Sequence, residues 1–464
     1  MASSSNPSIL RVVSPAQVQE DEATAARNAK GPIGDEAVMS ELAKHVRKEY
    51  ELFSRHRNAS NGGWSERLLN AMRVFNGQYD ANQLAEIKKF GGSEVYARVV
   101  AMKCRGASSL LRDVYLTPER PWALDPPADP DVPDNIIQAI EQLVTSEQQG
   151  VGGDAPPISL DAIRDRTMQL MEGAKQAAAK RAQKQAKLSE ARIDEILQQG
   201  NFYKALQEFL TDLPLFPFAC IKGPVVRVIP TVDWSKGKAE IVQKPHMMWY
   251  RVSPFDVYWT PGANDIEGAA VIERVRLTRA DLNDLLDLDG YNQDAVRAVL
   301  DEYGRGGIND DWDTIDAERA QQENRENPVF NTSGMLACLE YHGNIQGRLL
   351  IEYGFTAEQI PDAMRDYSVQ VWLIGRHVIK AQLSPSPRRR HPYFITSFEK
   401  VPGTPVGNGL PDILNDIQNV CNATLRALVN NLSIASGPQV VVNVDRLGIN
   451  EDPNEMYPWK RWMV

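Results

Sequence analysis

Residues His391 to Asn443 read HPYFITSFEKVPGTPVGNGLPDILNDIQNVCNATLRALVNNLSIASGPQVVVN. An aromatic, strand-like run leads through a Pro/Gly turn into a long amphipathic helix, which stops at Ser436-Gly-Pro and feeds a second apolar strand. Pro411 suits the first helical turn, where its missing N–H is not needed. Asp412 and Asp416 in the first turns favour the helix dipole. Ile413, Ile417, Val420, Cys421, Thr424, Leu428, Val429 and Leu432 form one face. Asn415, Gln418, Asn419, Asn422, Arg426 and Asn430 lie largely away from it. Asparagine is a poor helix former, so several on one helix ask for an explanation. Two compatible readings remain. The amide face packs in a polar interface between subunits, or it lines a channel past which something highly charged slides without sticking.

Composition sets the class. At 464 residues the chain is too long for one simple core, so two or three structural units are expected. Charged residues make up 24% and hydrophobic ones 42%, as in soluble globular proteins. Acids outnumber bases 61 to 51, giving a formal charge of −10. A protein that grips nucleic acid by its phosphates leans the other way, although an acidic chain suits a task in which DNA passes. Cys104, Cys220, Cys338 and Cys421 show no CxxC spacing and read as reduced, mostly buried thiols. No apolar run is long enough to span a bilayer, and the first residues, MASSSNPSILRVVSP, carry no signal-peptide pattern.

Along the chain, residues 1–35 read as a flexible arm. Helical spacing follows at Val38 to Phe53, at Trp64 to Phe75 with Ser65 as candidate N-cap, and at Ser93 to Val114. A Pro/Asp/Gly-rich connector, Asp125 to Pro157, contains a short helix near Ile136 to Val144. A long helix over about 159–199 comes next, with Ser159 as N-cap and a basic, Ala-rich middle, AKQAAAKRAQKQAK. From about 216 to 400 the period is that of mixed sheet: Phe218 to Val228, Ala239 to Gln243, Trp249 to Val252, Val257 to Thr260, Val271 to Val275, Met335 to His342, Arg348 to Tyr353, Val369 to Ile374 and His377 to Leu383. Helices interrupt it at Thr278, the candidate N-cap of TRADLNDLLDL, and at Asp294 to Tyr303. Gly304 to Asn331 reads as an acidic, irregular loop.

Nothing in the chain assembles an active site. His45, His56, His246, His342, His377 and His391 never fall at HxxxH or HxH spacing, which argues against zinc. Asp310, Asp311, Asp313, Asp316 and Glu318 do not fit an EF-hand, and a solvated loop explains them better. Gly403-Thr-Pro-Val-Gly-Asn-Gly409 lacks the Lys-Ser/Thr pair of a P-loop, so it reads as a turn ahead of a helix. No Ser sits in a GxSxG elbow. No catalytic residue, metal or cofactor is expected.

The order of short features carries a resemblance. They run Trp64-Ser-Glu-Arg-Leu-Leu and Phe75-Asn-Gly-Gln-Tyr79; Ser93-Glu-Val-Tyr96; Pro121-Trp122; Ile221-Lys-Gly-Pro224; Val252-Ser-Pro-Phe-Asp-Val-Tyr258; and Leu277 to Leu282. Then come Tyr341-His-Gly-Asn-Ile-Gln-Gly347, Arg390-His-Pro-Tyr393, Pro402-Gly403, Gly407-Asn-Gly409, Pro411-Asp412 and the Asn-rich helix ending Ser436-Gly-Pro-Gln439. Each is weak alone. Together, from about Glu49 to Trp462, the chain resembles a portal (head-to-tail connector) protein of a tailed double-stranded DNA bacteriophage, of the short-tailed type.

The resemblance implies an α+β portal fold: a helical and β wing, a long stem helix and the start of a clip, assembled into a ring, dodecameric in the family, at one capsid vertex. Carried onto this sequence, 1–35 is the arm, 36–406 the wing, 407–436 the stem helix and 437–464 the beginning of the clip. Family chains usually continue with a returning stem helix and a crown, so this chain is expected to be incomplete beyond Val464. Implied partners are further copies of the chain, double-stranded DNA passing through the channel, the major capsid protein, the terminase large subunit, and tail, adaptor and ejection proteins, with no membrane. Location follows as the virion, and the host cytoplasm during assembly. Channel-lining candidates are then Asn415, Gln418, Asn419, Asn422, Arg426 and Asn430, while Arg388, Arg389 and Arg390 are candidates for subunit or DNA contacts. Two other classes stay open: another virion ring such as a head–tail adaptor, and a DNA-processing enzyme built around Asp310 to Glu318.

Overall fold

The computed structural model describes residues 40–59, 63–89, 92–117, 122–127, 132, 134–149, 160–233, 240–288, 290–304, 314–323, 335–384 and 391–436. Its elements in chain order begin with α1 (Glu41–Arg57), α2 (Ser65–Asn76), α3 (Ala81–Lys89), α4 (Val99–Tyr115), α5 (Asp134–Gln149), α6 (Leu160–Gln199) and α7 (Phe202–Asp212). Next come β1 (Ala219–Asp233), β2 (Glu240–Val252), β3 (Val257–Trp259), β4 (Val271–Leu277), α8 (Arg279–Asp284), α9 (Gln293–Gly304) and α10 (Thr314–Gln322). The series closes with β5 (Leu336–Gln346), α11 (Gly347–Tyr353), β6 (Asp366–Ile374), β7 (His377–Leu383), β8 (Tyr393–Thr396), α12 (Leu410–Ile413) and α13 (Asn415–Ser436).

The strands form two antiparallel sheets, one ordered β2-β1-β8 and the other β3-β4-β5-β6-β7. Helix α1 lays Leu42, Val46 and Phe53 on the larger sheet, against Tyr341, Val369, Val371 and Leu373. Each such side chain, fully buried, contributes about 1.5–3 kcal/mol. Helix α2 packs in a cluster shared by both sheets, where Trp64 stacks on Trp259 of β3 with ring centroids 4.3 Å apart and packs with Phe218 and Phe255. A third cluster seats Leu282, Val296 and Val299 against Trp372, Ile374 and Ile379. Helix α6 runs 40 residues, on the order of 60 Å. It contacts α5, α7 and β2, and its basic middle is largely exposed.

The two sheets are joined by charge. Glu273 on β4 sits directly across from Glu340 on β5, a like-charge pair that destabilises a sheet if left alone. Lys222, from β1 of the other sheet, places Nζ 2.6 Å from Glu273 Oε2 and 2.5 Å from Glu340 Oε2. Tyr393 of β8 donates its hydroxyl to Glu273 Oε2 at 2.7 Å. Glu340 Oε1 lies 2.9 Å from His342 Nε2 and accepts from Gln370 Nε2, also at 2.9 Å. Burial pushes the Glu340 carboxyl up, but Lys222 and His342 outweigh it and hold the group well below the usual carboxylate range. Burial likewise opposes the Lys222 charge, and the two glutamates more than restore it.

A second buried cluster corrects the sequence reading of the acidic stretch. Thr314–Gln322 is helix, not irregular loop, and Asp316 is buried. Arg274 of β4 grips Asp316 with Nη1 and Nη2 at 2.7 and 2.5 Å, and meets Asp256 at 3.2 Å. Arg319 reaches Asp256 at 2.8 Å and Ser253 Oγ at 3.0 Å. Asp256 is pushed up by burial yet held well below its usual value by Arg319 and Arg274. Glu318 pairs with Arg73 at 2.9 Å. Asp310, Asp311 and Asp313 lie outside the described residues, and among those described no three His, Cys, Asp or Glu side chains are grouped to hold a metal.

Other expectations changed with context. Residues 347–353 form α11 and not a strand; a short aliphatic run does not distinguish the two by period. Ser65 is the first helical residue and not the N-cap, and its hydroxyl donates to Arg57 O at 3.2 Å. Thr278 does cap α8, in a reciprocal box with Asp281. Cys104, Cys220 and Cys338 are buried free thiols, and Cys421 is half-buried. Ser159 lies outside the described residues.

Lys222→Met leaves two carboxylates facing each other in the core, and we expect a loss of about 3–5 kcal/mol in denaturant unfolding at neutral pH. Because Glu340 is depressed in the folded state, its contribution is present above about pH 4.3 and is lost as pH falls below it. The gap between wild type and Lys222→Met should therefore narrow on acidification; a gap constant from pH 7 to pH 3 would refute this assignment.

Candidate functional site

The amphipathic helix singled out in the sequence is rooted in the fold by the turn that precedes it. Gly407 N donates to Pro217 O at 3.1 Å and Leu410 N to Pro214 O at 2.9 Å, while Glu399 and Asn408 form an isolated bridge. At Gly409 an added Cβ would come within 2.9 Å of the carbonyl oxygens of Leu215 and Phe216, so the backbone approach requires glycine. Arg67 of α2 forks onto Asp412 at 3.3 and 2.9 Å and also donates to Gly407 O at 2.7 Å. Asp412 Oδ2 accepts from Gly409 N at 3.1 Å, closing the start of α12. Leu410 and Leu414 pack on Val74, Val100 and Cys104 of α2 and α4.

The sequence predicts one unbroken helix from Pro411 to Ser436. Instead the chain breaks at Leu414 (φ −99°, ψ 6°), and the 22-residue α13 begins at Asn415. The expected helix over Ser93 to Val114 is also shortened. Residues 92–98 are neither helix nor strand, and α4 starts at Val99. Their backbone groups still need partners, and α13 supplies them. Asn430 Oδ1 accepts from Ser93 N at 2.9 Å, Asn422 Oδ1 from Ala97 N at 2.8 Å, and Gln418 Oε1 from Val100 N at 3.2 Å. Gln418 Nε2 donates to Ala97 O and, at 3.0 Å, to Asn422 Oδ1. Arg426 lies over the Tyr79 ring at 5.1 Å, and Tyr79 donates its hydroxyl to Val95 O at 2.7 Å.

The amide face therefore does not turn outward as a unit. Gln418 and Asn422, read from sequence as channel-lining, are 1% and 2% exposed and spend their polar atoms inside the chain. An uncharged amide both donates and accepts, which is what a run of irregular backbone needs and what Lys or Glu cannot offer. Asn430 and Arg426 are half-buried on the same segment, Asn415 is half-buried, and Asn419 is exposed. Beside them a cleft of about 680 Å³ opens between α3 and α13, lined by Gln83, Glu86, Asn419 and Arg426 among others. Arg388, Arg389 and Arg390 lie outside the described residues.

The apolar stripe behaves in the opposite way. Ile417, Val420, Leu428 and Leu432 are 56%, 65%, 54% and 59% exposed. Soluble proteins seldom leave a contiguous apolar strip along a helix in water, so this face is built to be covered. Sequence reasoning missed Arg67, the 92–98 segment and Lys222. A lysine inside the apolar run Ala219-Cys-Ile-Lys222, and glutamates inside Val271-Ile-Glu273 and Leu336-Ala-Cys-Leu-Glu340, were the available signals. Among the described residues no helix is long and apolar enough to cross a membrane.

A family model described as "Phage SU10 portal protein" matches residues 65–457. No curated protein matches the chain.

Replacing Asn422 by Leu removes the acceptor of Ala97 N, and we expect a cost of about 1–3 kcal/mol. Amide hydrogen exchange of 93–100 should accelerate while that of the β4–β5 core does not; equal acceleration in both would show global rather than local loosening.

Proposed function

The chain belongs to the phage SU10 portal protein family, and on that premise we propose that its copies assemble through their α13 helices into a dodecameric ring at one vertex of a short-tailed phage capsid. The protein is a portal protein, a structural component of the bacteriophage virion that serves genome packaging. In the proposed assembly residues 36–406 build the wing, 407–436 the stem and 437–464 the start of the clip, with 1–35 an arm. DNA enters through the ring, driven by the terminase large subunit, and leaves by the same path. The major capsid protein surrounds the ring, and tail, adaptor and ejection proteins dock on it. Assembly takes place in the host cytoplasm, and the ring acts as a conduit without catalytic turnover.

The observation that carries this reading is the exposed stripe Ile417, Val420, Leu428 and Leu432. In a closed ring each such strip meets helices of the assembled stem, and a rotational, head-to-tail arrangement satisfies every copy alike. The 22 residues of α13 make a wall on the order of 33 Å tall. Asn419, uncharged, is the exposed amide among the six channel-lining candidates and is left to face passing DNA. Arg426, held over Tyr79, is the cation nearest to it on the same cleft, and Arg388, Arg389 and Arg390 remain proposed contacts to DNA or a neighbouring copy.

Negative-stain electron microscopy of the full-length gene product should show rings with a hole wide enough for duplex DNA. Val420→Glu with Leu428→Glu should abolish the rings and leave the melting temperature of the dispersed chain within a few degrees of wild type. Asn419→Lys should leave rings intact and reduce DNA packaged per particle. Rings that survive the double glutamate variant would remove the stripe as the contact surface.

A further inference from the structure

Between the two sheets lies a cavity of about 440 Å³, within the size range of small-molecule sites. Its floor is the network around Lys222, Glu340, His342 and Gln370. That floor is electrically closed. Lys222 is held by two carboxylates, and Glu340 by Lys222, His342 and Gln370. Gln370 in turn accepts from Gln382 at 2.5 Å. The walls differ. Lys380 lies with its ammonium 4.8 Å from the Tyr291 ring centroid and 6.0 Å from that of Trp372. Arg227 lies 4.9 Å from the Tyr250 ring centroid. Among the described residues neither cation meets a carboxylate at ion-pair distance. Burial pulls the Lys380 ammonium down from its usual value, and the charge of Glu340 opposes this only in part.

Lys222, Lys380 and Arg227 stand against Glu273 and Glu340, an excess of one positive charge among these side chains. Flat apolar surfaces complete the walls: Trp372, Tyr291, Phe394 and two prolines, Pro224 and Pro392. We propose that this cavity binds an organic anion with a flat ring system, its anionic group meeting Lys380 and Arg227 and its ring lying against Trp372 and Phe394. Lys380 is half-buried and Arg227 is exposed. A partly desolvated cation such as Lys380 with no carboxylate at ion-pair distance is a cost to the fold, and a ligand that supplies the missing charge removes that cost on binding. An aromatic carboxylate and a mononucleotide share this chemistry, and they differ in what lies between ring and anion.

The test is calorimetric titration of the full-length protein with indole-3-acetate and, separately, with adenosine monophosphate. At least one should bind saturably, one per subunit, and the tighter of the two names the source. Lys380→Met keeps the aliphatic stem and should weaken binding by about tenfold or more, the worth of one charge-assisted hydrogen bond. Ser384→Trp fills the mouth without touching the floor and should abolish binding. Should that variant melt early, Lys380→Met alone decides. No saturable binding of either probe at millimolar concentration overturns the proposal, as does binding unchanged by Lys380→Met. Binding to dispersed subunits but not to rings also overturns it, since the cavity would then be covered by a neighbouring copy. None of these outcomes depends on whether the rings conduct DNA.

Discussion

Glu273 and Glu340 face each other across two neighbouring strands in the interior, and one cation stands between them. That cation comes from the other sheet, and with it comes the hydroxyl of Tyr393. The relative placement of the sheets is thus set by charge geometry as well as by packing. An apolar interface tolerates sliding; a lysine bonded to two carboxylates at 2.5–2.6 Å does not. Buried ion pairs are weak arguments for net stability, but breaking one is costly, and their clearest use is to fix register. The cluster of Arg274, Asp256, Asp316 and Arg319 fastens α10 to the larger sheet in the same way.

Everything that supports α13 hangs from this frame. The chain leaves β8, bridges at Glu399 and Asn408, and bonds back onto 214–217 before the helix begins. Arg67 ties Asp412 to α2, and α2 is packed in the cluster shared by both sheets. From that root the helix leans on 92–98 through three amide side chains. An amide contact is directional but uncharged, so the helix is aligned without burying another ion pair. The opposite face is left apolar and uncovered. One side of α13 is therefore fixed by its own chain, and the other is uncovered among the described residues.

Local chemistry made some elements readable from the sequence alone. Thr278 reads as an N-cap in the sequence and caps α8 in a box with Asp281 in the structure, and the β-branched and aromatic runs of the larger sheet fall where β4 to β7 fall. The two failures that bear most on the site share one cause, a partner far away in the chain. Ser93 to Arg98 continues a helical spacing, yet its backbone is bonded by side chains more than 300 residues later, and those contacts override local preference. Asp316 reads as a solvated acid because its partner Arg274 stands 42 residues earlier on another element. The asparagines were recognised as needing an explanation, but the choice between a lumen, a subunit interface and the chain's own backbone depends on where 92–98 lies, which no periodicity encodes.

With Gln418 and Asn422 turned inward, the proposed stem helix would stay inert toward DNA by other means than an amide face. Among the 22 residues of α13 the charged ones are Asp416 and Arg426, and Arg426 is drawn onto Tyr79. The outward surface is built from Asn419, Ala423, Ala427, Asn431, Ser433 and the apolar stripe, with Asp416 its exposed charge in the first turn. A row of lysines there would exchange counterions with each passing phosphate and slow movement, since every such contact adds affinity that grows as salt falls. In the proposed ring the stripe is consumed by assembly, and small or amide side chains are what remains toward the lumen. Low charge then serves both needs. It lets neighbouring helices approach without repulsion, and it presents DNA with a wall that offers no phosphate a lasting partner.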